Sequence, residues 1–398
     1  MLNKEYFAKS GHCAKIKLFI VKILRKLFIK IKQKDVILFE SLPLYSDNTK
    51  YVYDEIIKRE SFKDYKFFWL LSEYMKINRE DIPKGIQVLG TTADDSVLKR
   101  FFNRIKRTYY EAVAKVIIVC NEYPNLKNPR AYCIDLSHGT AMKDCSNHYN
   151  MPNYIDVSMC ISSYLLKYDA HNNNCSEDKL MPLGFARNDD LFGEKNDLNK
   201  VFNKKFSKSI YWMPTYRQHK LGDSYSSISF PIIYNEEIAQ EINACAKAND
   251  VLIICKPHPV QDLSSIAQVK LSNLLFIDNE FFLKNNITNY ELLRSVDSLI
   301  TDYSSVYYDY LLCDKPIGLC WDDFEEYNQN EGFVIDTDVI FAGGEKIYNA
   351  KEFCDFLIRI ANGQDNLKTE RAKITELCHD HRDNQSTNRI VDFIEEKL

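Results

Sequence analysis

The stretch SLITDYSSVYYDYLLCDKPIGLCW, residues 298–321, decides the fold. An apolar run ends at Thr301, Asp302 to Ser305 form a polar turn, and a helical pattern starts at once; after Lys315 and Pro316 a second apolar run begins. Short continuous apolar runs suit strands covered on both faces, and two of them joined through a helix suit neighbours in a parallel sheet. Ligands of such sheets gather at the carboxyl ends of the strands, where the polar turn lies.

The same alternation extends outward in both directions. Residues 35–41, 65–72, 86–90, 115–123, 131–137 and 159–166 read as strands, with helical patterns such as 94–114 between them. After a polar, turn-rich stretch at 182–200, a second series follows at 208–217, 251–259, 274–279, 298–305 and 316–323. Its helices include 235–250 and 288–297, and 351–363 and 388–398 read as closing helices. The expectation is an α/β protein of two doubly wound, Rossmann-like domains, 35–200 and 201–398, with a ligand cleft between them. A basic segment, 1–34, precedes both.

Length and composition fit this division. At 398 residues the chain exceeds one small core, and a hydrophobic content of 45% with 27% charged residues is ordinary for a globular body. The net charge of −4 hides an asymmetry: residues 1–34 hold ten Lys and Arg against Glu5 alone, whereas the rest has 42 basic and 55 acidic side chains. The acidic body argues against nucleic-acid binding. The 12 cysteines are scattered without a CxxC, so they read as reduced thiols of a cytosolic protein. The HDH triplet at 379–381 lacks further ligands and is not read as a metal site.

Residues 15–34, KIKLFIVKILRKLFIKIKQK, mix eleven large apolar with eight basic residues. At 100° per residue Ile16, Ile20, Val21, Ile23, Leu24, Leu27, Phe28 and Ile31 share one side, and Lys15, Lys22, Arg25, Lys26, Lys30 and Lys32 the other. Regular charges rule out a spanning helix, and no small-residue cleavage site follows. An interfacial helix on an anionic, cytoplasmic membrane surface is expected.

Four elements at strand ends have residue types suited to a diphosphate. In SHGTAMK, His138 is a candidate general base, and Gly139 leaves room for a phosphate near the backbone. In IICKPHP, prolines hold His258 beside Lys256. In the opening stretch, Ser304 and Ser305 start a helix whose free N–H groups and dipole suit an anion, with Asp309 one turn on. PLGFARNDD and WMPTYR add Arg187, Pro214, Thr215 and Arg217, arginine being suited to bidentate phosphate contacts. Taken singly, each element has an ordinary reading as a turn, cap or salt bridge.

Taken in order, HGTxxK, GxxRND, PTYR, KPHP and DYSSxxxDxxxxxKP resemble the CDP-glycerol glycerophosphotransferase family of teichoic acid primases and polymerases. The resemblance spans roughly residues 115–330. It implies a GT-B fold, peripheral association with the cytoplasmic face of the membrane, and no cofactor or metal. It also implies transfer of glycerol phosphate from CDP-glycerol to a lipid-linked saccharide or polyol-phosphate acceptor with release of CMP, in teichoic-acid or capsule-type polymer synthesis; an oligomer is compatible with it. By motif, His138 and His258 match catalytic positions, and Gly139, Thr140, Lys143, Arg187, Pro214, Thr215, Arg217, Lys256, Ser304, Ser305 and Asp309 match substrate-binding ones. The family often has Trp before this His and Pro after the Thr, where this chain has Ser137 and Ala141. The alternatives are a CDP-ribitol enzyme of the same family, a GT-B glycosyltransferase using a nucleotide sugar, and a non-catalytic partner in polymer assembly.

Overall fold

The structure is a computed structural model that describes residues 12–72, 77–124, 128, 130–215, 230–257 and 270–398. Two compact units are present: residues 1–138, 152–159 and 387–398 form the first, and 139–151 with 160–386 the second.

In the first unit, helix α1 (His12–Phe28) precedes strand β1 (Val36–Phe39), helix α2 (Asp47–Ile56), and strands β2 (Lys66–Leu70) and β3 (Val88–Leu89). Helix α3 (Val97–Val113) and strands β4 (Val116–Val119), β5 (Tyr132–Asp135) and β6 (Val157–Met159) follow. Every neighbouring pair in the order β3-β2-β1-β4-β5-β6 is parallel. β1 and β4 are buried along their whole length, which explains their unbroken apolar runs. The strand expected at 159–166 is corrected: the extended residues are 157–159, and the following apolar residues enter helix.

The second unit starts with helix α4 (Leu166–Asn173), strand β7 (Leu180–Met181), helix α5 (Leu198–Val201), strand β8 (Lys208–Trp212), helix α6 (Glu236–Ala248), and strands β9 (Val251–Cys255) and β10 (Leu274–Phe276). Helices α7 (Asn279–Asn285) and α8 (Asn289–Ser295), strand β11 (Ser298–Thr301), helix α9 (Val306–Leu311) and strand β12 (Ile317–Cys320) come next. Helices α10 (Phe324–Asn330) and α11 (Thr337–Ile340), strand β13 (Glu345–Ile347), and helices α12 (Ala350–Ala361) and α13 (Lys368–Cys378) complete the unit. The order β10-β9-β8-β11-β12-β13 is parallel throughout. Alternate residues serve opposite faces: Tyr211, Leu252, Ile254 and Leu299 join one apolar cluster, and Ile210, Trp212, Ile253 and Ile300 another.

Ile161, Leu165, Phe185, Leu191 and Leu198 bury themselves in the same cluster as Tyr211 and Leu299. The last helix, α14 (Ser386–Glu396), belongs from Thr387 onward to the first unit. There Arg59 bonds Asp392 at 2.8 Å and Asn388 at 3.0 Å, and Tyr132 packs on Phe393.

Candidate functional site

In the second unit the strand order reverses between β8 and β11, the position where doubly wound sheets open a crevice at their carboxyl ends. Asp302, fully buried after β11, accepts the Thr215 N–H at 3.0 and 2.9 Å and the Thr215 hydroxyl at 3.0 Å. The Thr301 hydroxyl donates to the Met213 carbonyl at 2.8 Å. Pro214 and Thr215 are thereby tied to the DYSS turn. At the end of β9 the half-buried Lys256 donates its backbone N–H to Trp212, and burial lowers the pKa of its ammonium. His258 and Arg217 lie outside the described residues.

The segment after His138 runs along this unit. A Cβ placed on Gly139 would lie 2.6 Å from Ser305 Oγ and 3.1 Å from its Cβ, so any larger residue here would displace the Ser305 side chain. Thr140 is buried. The Ala141 N–H donates to Asp169 Oδ1 at 2.8 Å, and the Tyr308 hydroxyl to the Ala141 carbonyl at 3.3 Å. Burial pushes Asp169 up to about 7. Lys143 forms an antiparallel bridge with Phe333. Burial alone would lower its pKa, but Tyr327, Cys145 and Glu331 outweigh that and raise it.

Arg187 and Asp309 meet in a buried pair, 3.1 Å between Nη2 and Oδ2, with 7% and 2% of their side chains exposed. Tyr290 donates to the same Oδ2 at 2.5 Å, and the guanidinium lies over the Phe185 and Tyr290 rings at 5.2 and 5.3 Å. Asp309 therefore holds Arg187 and is itself covered. Helix α9 has six residues, its N-cap Ser305 makes no side-chain capping bond, and Ser304 and Ser305 are half-buried at its start.

In the first unit the order reverses between β1 and β4. Glu40, just past β1, accepts the N–H groups of Cys120, Asn121 and Glu122 at 3.0 to 3.1 Å on one oxygen. A carboxylate thus fills the nest that a phosphate takes in many such sheets. Burial pushes Glu40 up to about 7, against the pull of those N–H groups. His138 is exposed at the end of the β5 loop, after a Ser137 with φ of 54°.

Sequence reading passed over Asp302, Tyr290, Asp169 and Asn48, because their partners lie far away in the chain. His379 of the HDH triplet is buried, with Nε2 2.8 Å from the Tyr308 carbonyl, and burial lowers its pKa. No group of three His, Cys, Asp or Glu able to hold a metal occurs among the described residues.

The family described as CDP-Glycerol:Poly(glycerophosphate) glycerophosphotransferase matches residues 22–396. The ribitol-phosphate polymerase TarL of Staphylococcus aureus is 24% identical over 98% of this chain and 67% of its own length. The teichoic acid glycerol-phosphate primase of Bacillus subtilis is 25% identical over 55% of this chain and 52% of its own. The wall teichoic acid polymerase TagF superposes with a TM-score of 0.73 at 18% identity, covering 97% of this chain and 95% of that one, which makes the fold GT-B-like. The match of nearly the whole chain, on an α/β architecture of two parallel sheets, identifies the protein as a transferase of the CDP-glycerol glycerophosphotransferase family of teichoic acid biosynthesis.

Proposed function

We propose that the chain moves glycerol phosphate from CDP-glycerol to a hydroxyl of a lipid-linked saccharide or polyol-phosphate acceptor. The observation that carries this reading is the seating of Gly139 against Ser305, which joins the HGT segment to the DYSS turn. The acceptor oxygen attacks the glycerol-bearing phosphorus, its proton passes to His138, and the bond from phosphorus to the CMP oxygen breaks. Lys256, Arg187 and the hydroxyls of Ser304 and Ser305 meet the charge of the diphosphate, with His258, Arg217 and Lys143 as further contacts. Thr140, Pro214, Thr215 and Asp309 shape that site. General-base help of this kind contributes about 10²–10⁴ in rate.

A CDP-ribitol donor is the second reading, favoured by the two relatives that cover 98% of the chain, both ribitol-phosphate polymerases. Release of nucleotide from CDP-glycerol, CDP-ribitol and UDP-sugars separates the readings. CMP from CDP-glycerol and its loss in His138→Ala are expected; UDP from a UDP-sugar, or full turnover in His138→Ala, would overturn the proposal.

The same reading puts the protein on the cytoplasmic face of the membrane. Among the described residues no helix is long and apolar enough to cross a bilayer. α1 instead packs on α3 through Phe28 on Tyr109 and Arg25 near Glu111, and exposes Phe19, Ile20, Ile23 and Leu27 with Lys22 and Lys26. Arg25 was expected on the outer basic face and instead faces α3. α3 adds exposed Val97, Leu98 and Phe102 beside Lys99, Arg100 and Arg104. Apolar and basic groups on both helices supply the two signals that stable surface anchoring needs.

A further inference from the structure

Ser137, the residue that leads into His138, is held on both sides by side chains no motif contains. On its amino side, the Ser137 N–H donates to Asp135 Oδ1 at 3.0 Å. On its carboxyl side, the Ser137 carbonyl accepts Asn48 Nδ2 at 2.7 Å and Cys120 Sγ at 3.1 Å. Asn48 Nδ2 also reaches the Leu136 carbonyl at 3.2 Å. The Ser137 carbonyl is half of the Ser137–His138 peptide bond, so its direction sets where the imidazole starts. Ser137 stands at a φ of 54°, a conformation that costs a non-glycine residue energy and persists only where its surroundings hold it.

The holding groups are themselves fixed. Asp135 is buried, and its second oxygen accepts the Ser158 hydroxyl at 2.8 Å and the Tyr123 hydroxyl at 3.0 Å. Asn48 is fully buried in the first turn of α2. A carboxylate gripped from β6 and from the segment after β4, and an amide locked on α2, make a rigid frame under an exposed histidine. Reactions that depend on a placed base lose rate steeply when that placement slackens.

We propose that Asn48 and Asp135 are positioning residues for His138, acting through the backbone of Ser137; this rests on the reading of His138 as the base. Neither touches substrate in this scheme. Asn48→Ala frees the carbonyl end. Asp135→Asn keeps an oxygen for the Ser137 N–H but removes the charge and puts an NH₂ where two hydroxyl groups donated. Both are therefore expected to lower turnover without touching the donor site.

The test measures CMP release from CDP-glycerol, with thermal midpoints, for the full chain and the variants Asn48→Ala, Asp135→Asn, His138→Ala and Asn48→Ala/His138→Ala. The expected result is a kcat loss of about 10- to 100-fold in either positioning variant, with the donor KM within about twofold of the parent. In the His138→Ala background the Asn48 change should cost nothing further, because its route to the reaction is gone. Parent kcat in both variants, an additive loss in the double variant, or a matching collapse of donor affinity and thermal midpoint in both would overturn the proposal. Full turnover of His138→Ala would instead overturn the assignment of the base.

Discussion

Gly139 and Ser305 touch so closely that a methyl group on the first would sit 2.6 Å from the hydroxyl oxygen of the second. Two motifs some 165 residues apart in the chain thus share one contact. Gly139→Ala forces the Ser305 hydroxyl to swing away and the backbone to yield by a few tenths of an ångström. The expected outcome is a loss of about 10- to 100-fold in kcat for CMP release. Adding Ser305→Gly, which removes both clashing atoms, should restore the fold's thermal midpoint but not the full rate if the hydroxyl serves the diphosphate.

Breaking the buried Arg187–Asp309 pair from either side should be costly. Asp309→Ala takes the carboxylate from a guanidinium at 7% exposure and removes the Asp309 acceptor of the Tyr290 hydroxyl. Removing one member of such a pair costs about 3–5 kcal/mol. Urea unfolding of Asp309→Ala should show that loss. Tyr290→Phe, which leaves the ion pair in place, should lose only about 1 kcal/mol.

Stability should fall as pH rises from about 4 to about 7 in part because of Asp169, whose folded carboxyl is pushed up to about 7 by burial. Across that window the native state holds a proton that the unfolded chain has released, so the folded form is progressively disfavoured. The penalty is absent below the unfolded value and complete above the folded one, at about 4 kcal/mol for a shift of this size. Asp169→Asn keeps an acceptor for the Ala141 N–H and should flatten the slope of midpoint against pH between 5 and 8. An unchanged slope would mean that Asp169 is ionised throughout.

Sedimentation with vesicles checks the surface of α1 and α3. Phe102→Glu on α3, 58% exposed in the parent, should weaken binding to anionic vesicles while leaving the unfolding free energy within about 0.5 kcal/mol of the parent. Binding to neutral vesicles should be weaker for parent and variant alike, since each basic residue near an anionic surface adds on the order of 1 kcal/mol. Equal sedimentation of parent and Phe102→Glu would remove α3 from the surface.

The sequence by itself determined the alternation of strands and helices, because fully buried strands such as VIIV at 116–119 and VLIIC at 251–255 must be continuous apolar runs. It also determined the motifs, since HGTxxK and DYSS are local strings at strand ends. Folding alone decided that Ile161, Phe185 and Leu198 join the cluster of Tyr211 and Leu299, that α14 meets Arg59 and Tyr132, and that Asp309 is covered by Arg187 and Tyr290. Those outcomes depend on which buried side chains meet across long stretches of chain. A periodicity of two or of 3.6 residues reports which face is apolar, not which surface will cover it. Asn48 and Asp135 were invisible for the same reason: an asparagine in a helix's first turn and an aspartate closing a strand look ordinary until folding aims them at the two sides of Ser137.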